Sequence, residues 1–220
     1  MRKYKCLITD HDDTAVHSTA EIHYPAYLEA MRVLRPDCSP LDLDEYFIMN
    51  FHPGFMTYLR QTLGFSDEEV EKEYRIWRRF TEKRIPTFYP GFLEFLKLFR
   101  AMGGLVAVVS HSEAELIRRD YRAAEGNGFM PDLIFGWECD ETKCKPHPYP
   151  VREILKFYGL NPQEALILDD LKPGYLMSQA CGVDMAGAGW GHRISEIERY
   201  MRENCNHYFA TVEELRDFML

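Results

Sequence analysis

The stretch Lys5-Cys6-Leu7-Ile8-Thr9-Asp10-His11-Asp12-Asp13-Thr14 decides how the rest of the chain is read. Cys6-Leu7-Ile8 is a short apolar run that ends at once in three carboxylates and a hydroxyl. An apolar run bounded so abruptly by polar residues predicts a buried strand. Carboxylates crowded at a strand end repel one another and call for a counter-charge, either a divalent metal or a shared proton. The alternative is a solvated acidic turn that caps the next helix, and this segment alone leaves both readings open.

Downstream, short apolar runs alternate with helical patterns. Leu105-Val-Ala-Val-Val109, entered from Gly103-Gly104, predicts a strand, as do Leu133-Ile-Phe135 and Ala165-Leu-Ile-Leu168. The last of these again stops at carboxylates, Asp169 and Asp170. Val183 to Ala188 and His207 to Phe209 are weaker strand candidates. Between them lie helical faces: Phe92, Phe95, Leu96 and Phe99; Val151, Ile154, Leu155 and Tyr158; Ile194, Ile197 and Met201. Thr211 and Glu214 form a capping-box pattern ahead of the last helix. Apolar strands without alternation suit a sheet covered on both faces, so the expected fold is α/β, a Rossmann-like doubly wound parallel sheet.

One region breaks this alternation. From about Ser18 to Arg84 only helical periodicity is found, with faces at Tyr24, Tyr27, Leu28, Met31 and at Phe55, Tyr58, Leu59, Leu63. A capping-box pattern at Ser66 and Glu69 precedes Val70, Tyr74, Trp77 and Phe80. The expected organisation is a core of residues 1–17 and 89–220 with a helical domain of residues 18–88, about four helices, inserted after the first strand. Its aromatic faces read as core rather than as a ligand box.

The chain has 220 residues and a formal net charge of −9. The acidic balance argues against non-specific nucleic-acid binding, which needs clustered Lys and Arg. A phosphorylated substrate would need local positive charge from lysine or metal. The longest apolar stretch, Leu105 to Val109, is too short to span a bilayer. No secretory signal precedes the first strand, so a cytoplasmic location is the default expectation. Of the six cysteines, Cys139 and Cys144 with His147 offer a loose zinc-site spacing, but a fourth ligand is not evident and reduced thiols are the expectation.

Four polar elements thus fall at the carboxyl ends of expected parallel strands: Asp10 with Asp12, Ser110, Lys145 before Pro146, and Asp169 with Asp170. Open parallel sheets bind ligands at that edge. Each element has a plain alternative. Ser112 and Glu115 form a capping-box pattern, so Ser110-His111-Ser112 reads equally as a helix start; Lys145 reads as a surface lysine, and Asp169-Asp170 as a turn.

Together, in this order, the four elements resemble the haloacid dehalogenase superfamily of phosphotransfer enzymes over nearly the whole length. Asp10-His-Asp12-Asp13-Thr14 looks like the family's first motif, Asp-x-Asp-Gly-Thr, and Val108-Val109-Ser110 looks like the second. Lys145-Pro146 looks like the third. Leu166-Ile-Leu168-Asp169-Asp170, with Pro173-Gly174 and Ala180-Cys-Gly182, looks like the fourth, and Trp190-Gly191 is also similar. The helical insert lies where the family's cap domain lies. Within that superfamily the chain resembles phosphoglycolate phosphatase- and beta-phosphoglucomutase-like hydrolases with a helical cap.

The resemblance implies a phosphohydrolase that acts on a small phosphorylated metabolite. Asp10 would be the nucleophile and Asp12 the general acid and base. Ser110, His111 and Lys145 would bind phosphate. Magnesium would be held by the Asp10 carboxylate, the Asp12 main-chain carbonyl and Asp170, with Asp169 bound directly or one layer out. Thr14 and, from the insert, His52 are substrate-contact candidates; an ordinary helix-start turn is the other reading of His52-Pro-Gly54. The insert is expected to act as a mobile lid. Departures from the motifs are Asp13 for glycine, His111 for asparagine, His11 for an apolar residue, His17 where aspartate is common and Gly174 where an acid often stands. Asp12 argues against dehalogenation, which needs no proton on its leaving group. A sugar-phosphate mutase on the same site and a non-catalytic binding module are the alternatives. Substrate identity and oligomeric state are not readable.

Overall fold

The computed structural model describes residues 3–124, 129–138 and 140–220. Its strands are β1 Cys6–Thr9, β2 Val16–His17, β3 Thr87–Phe88, β4 Leu105–Val109, β5 Leu133–Phe135, β6 Ala165–Asp169, β7 Asp184–Ala188 and β8 His207–Phe209. Six of them form one sheet in the order β5-β4-β1-β6-β7-β8, with every neighbouring pair parallel. β1 and β6 are buried along their whole length, which explains their unbroken apolar composition. All five strands expected after the insert are present, including the two weaker candidates.

The register brings the polar strand ends to one edge. Cys6 lies opposite both Leu105 and Ala165, and Thr9 opposite both Val108 and Leu168. The chain runs outward from β1 through β4 to β5, then returns to lay β6 on the other side of β1. That reversal between β1 and β6 is the switch in strand order at which open α/β sheets place their ligand crevice.

Helices α5 Phe92–Ala101, α6 Ala114–Ala123, α7 Tyr149–Tyr158, α8 Lys172–Cys181, α9 Ser195–Asn204 and α10 Val212–Met219 connect and cover these strands, and the four preceding helices lie in the insert. The α5 face of Phe92, Phe95, Leu96 and Phe99 is wholly buried in a cluster with Leu7, Val106, Val108, Leu166 and Leu168. Burying each such side chain contributes roughly 1.5–3 kcal/mol. Thr211 caps α10 by accepting from Glu214 N–H, while the Glu214 carboxylate reaches the N–H of Ala210 rather than that of Thr211.

The chain divides into two compact units: Met1–His17 with Thr87–Leu220, and Ser18–Pro86. The second unit contains α1 Tyr24–Leu34, α2 Leu43–Phe51, α3 Phe55–Thr57 and α4 Asp67–Lys83, with π-helical turns at Thr19–His23 and Tyr58–Thr62. Its own core gathers Tyr27, Met31, Tyr46, Met49, Tyr58, Leu59 and Phe65. Ser66 and Glu69 form the expected capping box, and Asp42 with Glu45 forms a second. At the roots of the insert β2 and β3 pair antiparallel, Val16 opposite Phe88 and His17 opposite Thr87, which places Thr87 and Phe88 with the first unit.

Among the described residues no helix is long and apolar enough to cross a membrane. Cys139 lies outside the described residues. Cys144 is buried, with its sulfur accepting from the Glu138 N–H at 3.3 Å, and the described cysteines are free thiols.

Candidate active site

Asp10 continues β1 into the loop, anchored by its N–H to the Leu168 carbonyl of β6 at 2.8 Å. Ser110 continues β4 in the same way, its N–H donating to Phe135 of β5 at 3.0 Å. The sheet therefore sets both side chains at its carboxyl edge before any side-chain contact is made. The turn after Asp10 is tight, closed by Ala15 N–H to His11 carbonyl at 2.9 Å and Asp13 N–H to Val16 carbonyl at 2.8 Å. It forces Asp13 to φ 53°, the left-handed region that the motif's glycine enters freely and that aspartate tolerates better than most residues. Gly191 packs against this turn: a Cβ there would stand 2.1 Å from the Asp13 carbonyl oxygen.

Lys145, only 6% exposed, places Nζ 2.7 Å from Asp10 Oδ1 and 2.8 Å from Asp169 Oδ2. Burial disfavours its charge, but the two carboxylates outweigh burial and raise its pKa. Asp169 is fully engaged, since its Oδ1 also accepts from Leu171 N–H at 3.0 Å. Asp170 accepts from Thr14 Oγ1 at 3.3 Å on Oδ1 and has His192 Nε2 3.6 Å from Oδ2. Thr14 is buried; its hydroxyl meets Asp170 and its carbonyl accepts from Trp190 Nε1 at 2.9 Å.

Asp10, Asp169 and Asp170 are buried and bring carboxylate oxygens within 4.8 Å of one another. Burial, reinforced by the charges of Asp169 and Asp12, raises the pKa of Asp10 well above the usual carboxylate range, with Lys145 opposing. Asp170 is raised by burial and by Asp169, Asp10 and Asp13. One lysine does not neutralise this many carboxylates. An all-oxygen cluster with excess negative charge fits a hard divalent cation.

The Asp12 carboxylate is turned to a different set of partners. Its Oδ2 accepts from Ser112 Oγ at 2.7 Å and from Ser110 Oγ at 3.1 Å. Ser112 is thus a site residue rather than the helix cap its spacing to Glu115 suggests; α6 starts at Ala114, and its N-cap residue, Glu113, makes no side-chain cap hydrogen bond. His111 is exposed and its Nε2 donates to the Lys145 carbonyl at 2.6 Å. His11 turns inward, with Nε2 3.1 Å from Asp120 Oδ2 on α6 and its ring against Tyr121 and Phe88. Sequence reasoning missed Asp120; the signal that could have found it is a carboxylate on the apolar α6 face of Leu116, Ile117 and Tyr121. His52 lies in the Ser18–Pro86 unit, directly after α2 and before a cis bond to Pro53.

Parallel sheet, strand-end acids and paired lysine define a hydrolase class: residues 8–188 match the haloacid dehalogenase-like hydrolase family, and the chain belongs to it. Among curated relatives, a phosphoglycolate phosphatase of Aquifex aeolicus (strain VF5) is 26% identical over 195 residues, 86% of each chain. A pyrophosphatase PpaX of Bacillus cereus (strain AH820) is 22% identical over 192 residues, 86% of this chain and 84% of that one. The fold is shared with a solved haloacid dehalogenase-like family hydrolase from Streptococcus pneumoniae, at TM-score 0.78 and 16% identity over 99% of each chain.

Proposed function

We propose that this enzyme is a magnesium-dependent phosphohydrolase that cleaves a small phosphorylated metabolite through an aspartyl-phosphate on Asp10. The observation that supports it most directly is the buried Asp10–Lys145 pair at 2.7 Å inside the carboxylate cluster, with a second carboxyl two residues on. Phosphate monoesters are among the slowest substrates to hydrolyse unaided, so the work is divided over several groups.

Asp10 would attack phosphorus while the ester P–O bond breaks, and Asp12 would give its proton to the departing oxygen. Asp12 would then take a proton from the water that attacks the phospho-aspartate, which frees inorganic phosphate and restores Asp10. Lys145 would offset charge on both Asp10 and the phosphoryl group, as its contact to Asp10 already does. Ser110 and His111 would contact the phosphoryl oxygens, Ser110 by turning its hydroxyl from Asp12. When bound, magnesium would be held by the Asp10 carboxylate, the Asp12 carbonyl and Asp170, and would supply positive charge to the phosphoryl oxygens. Asp169, spent on Lys145 and Leu171, would orient the lysine. The Ser18–Pro86 insert, with His52 as one candidate contact and Thr14 as another from the core, would select the substrate as a lid. The relatives' names, a phosphoglycolate phosphatase and a pyrophosphatase, direct attention to small, strongly anionic phosphates.

The test is phosphate release from a panel containing phosphoglycolate, pyrophosphate and sugar monophosphates, each with and without magnesium. Magnesium-dependent release from at least one member is expected. No release from any member by folded protein would overturn the reading.

A further inference from the structure

Ser112 donates its hydroxyl to Asp12 Oδ2 at 2.7 Å, and we infer that Ser112 is a positioning residue that holds the Asp12 carboxyl where it delivers its proton to the leaving oxygen. The inference rests on the phosphohydrolase reading above.

Three observations carry it. First, the hydroxyl is not used locally. Ser112 stands one residue ahead of the α6 N-cap, Glu113, and its hydroxyl makes its hydrogen bond to Asp12 rather than to the helix start. A serine beside a helix start ordinarily satisfies the orphan N–H groups there; this one reaches across to the β1 loop instead.

Second, the donor stands on a fixed frame. The Ser112 N–H donates to Ser110 Oγ at 3.0 Å, and its carbonyl accepts from Trp137 N–H at 2.9 Å. Gly136 packs so closely that a Cβ on it would lie 2.5 Å from the Ser112 carbonyl oxygen. Asp12, by contrast, is half-buried on a turn beside a residue at φ 53°. A rigid donor that fixes a carboxyl on a turn lowers the cost of reaching the reactive geometry.

Third, the two serines are not equivalent. Ser110 also donates to Asp12, at 3.1 Å, but it has a single hydroxyl proton. Once that proton is given to a phosphoryl oxygen, Ser112 is the hydroxyl that keeps Asp12 in place while its O–H proton passes to the ester oxygen and the P–O bond breaks.

The test compares kcat/KM on two substrates with magnesium present: 4-nitrophenyl phosphate, whose leaving group departs without a proton, and 2-glycerophosphate, whose alkoxide needs one. Ser112→Ala is expected to lose about tenfold on the alkyl ester and less than about twofold on the aryl ester. Ser112→Thr, which retains the donor, is expected to keep the wild-type ratio. Equal proportional losses on both esters would overturn the inference while leaving the hydrolase reading intact. Failure of the wild-type enzyme on both esters and on every member of the metabolite panel would overturn the hydrolase reading and this inference with it. Should the alanine variant fail to fold, Ser112→Cys, a weaker donor of similar size, carries the same comparison.

Discussion

Gly174, in the first turn of α8, lies against the side chain of Asp169: a Cβ built on Gly174 would stand 2.4 Å from Asp169 Cγ and 2.4 Å from Oδ2. Oδ2 is the oxygen that receives Lys145 Nζ. The absence of a side chain at Gly174 therefore fixes where the lysine beside Asp10 stands.

Gly174→Ala is expected to displace Asp169 and, through it, Lys145. kcat/KM should fall by about tenfold or more, since small misplacements at a reacting centre are costly. The strain of one forced methyl should also lower stability by about 1–3 kcal/mol. Thermal unfolding and phosphate release measured on the same sample check both. Wild-type values for both would show that Asp169 needs no such clearance.

Asp10→Asn is expected to abolish turnover, to below about one thousandth of wild type, because an amide of nearly the same shape is a poor nucleophile. Near-ultraviolet circular dichroism should be unchanged. Substantial phosphate release by a folded sample verified free of deamidation would refute the nucleophile assignment.

Chelation is expected to remove activity and magnesium to restore it. Independently of activity, magnesium should raise the midpoint of thermal unfolding by mass action, because the cluster that would bind it exists only in the folded chain. Asp170→Asn removes one buried carboxylate of that cluster and should shrink this rise. An unfolding midpoint insensitive to millimolar magnesium in the wild type would contradict the metal assignment.

Glu73 gives a pH dependence within the Ser18–Pro86 unit. It is buried on α4, and desolvation raises its pKa from 4.5 to about 7. A carboxyl raised on folding contributes stability that is full below pH 4.5 and fades as pH rises through about 7. Glu73→Gln cannot ionise, so it should match wild type near pH 4.5 and exceed it above pH 8 by about 1–3 kcal/mol. Denaturant unfolding at the two pH values measures this, and an equal effect at both would dismiss the titration.

The strand-end acids and Ser110 were legible because each ends an apolar run, and the sheet register then brings them to one edge; Lys145 follows polar residues and was legible only as the Lys-Pro pair of the resemblance. Ser112 was not, because its spacing to Glu115 satisfies a local capping rule and only the folded chain brings Asp12 close enough to compete for the hydroxyl. His11 read as a departure without a cause; its cause is Asp120, more than a hundred residues away, which supplies a buried polar partner. β2 and β3 were missed because two-residue strands carry no periodicity to detect. The π-helical turns in the insert have no compositional signal either.

The short ribbon of Val16–His17 and Thr87–Phe88 has a consequence for how such a chain can be rebuilt. Because the exit and return of the insert are hydrogen-bonded neighbours, the core has in effect one graft point rather than two. Sixty-nine residues, 18 to 86, leave and rejoin it across a single antiparallel step. A two-residue Asn-Gly turn between His17 and Thr87 would close that step as an ordinary hairpin. Segments of other lengths, provided their own ends lie side by side, would fit the same junction without altering the register of the six-stranded sheet.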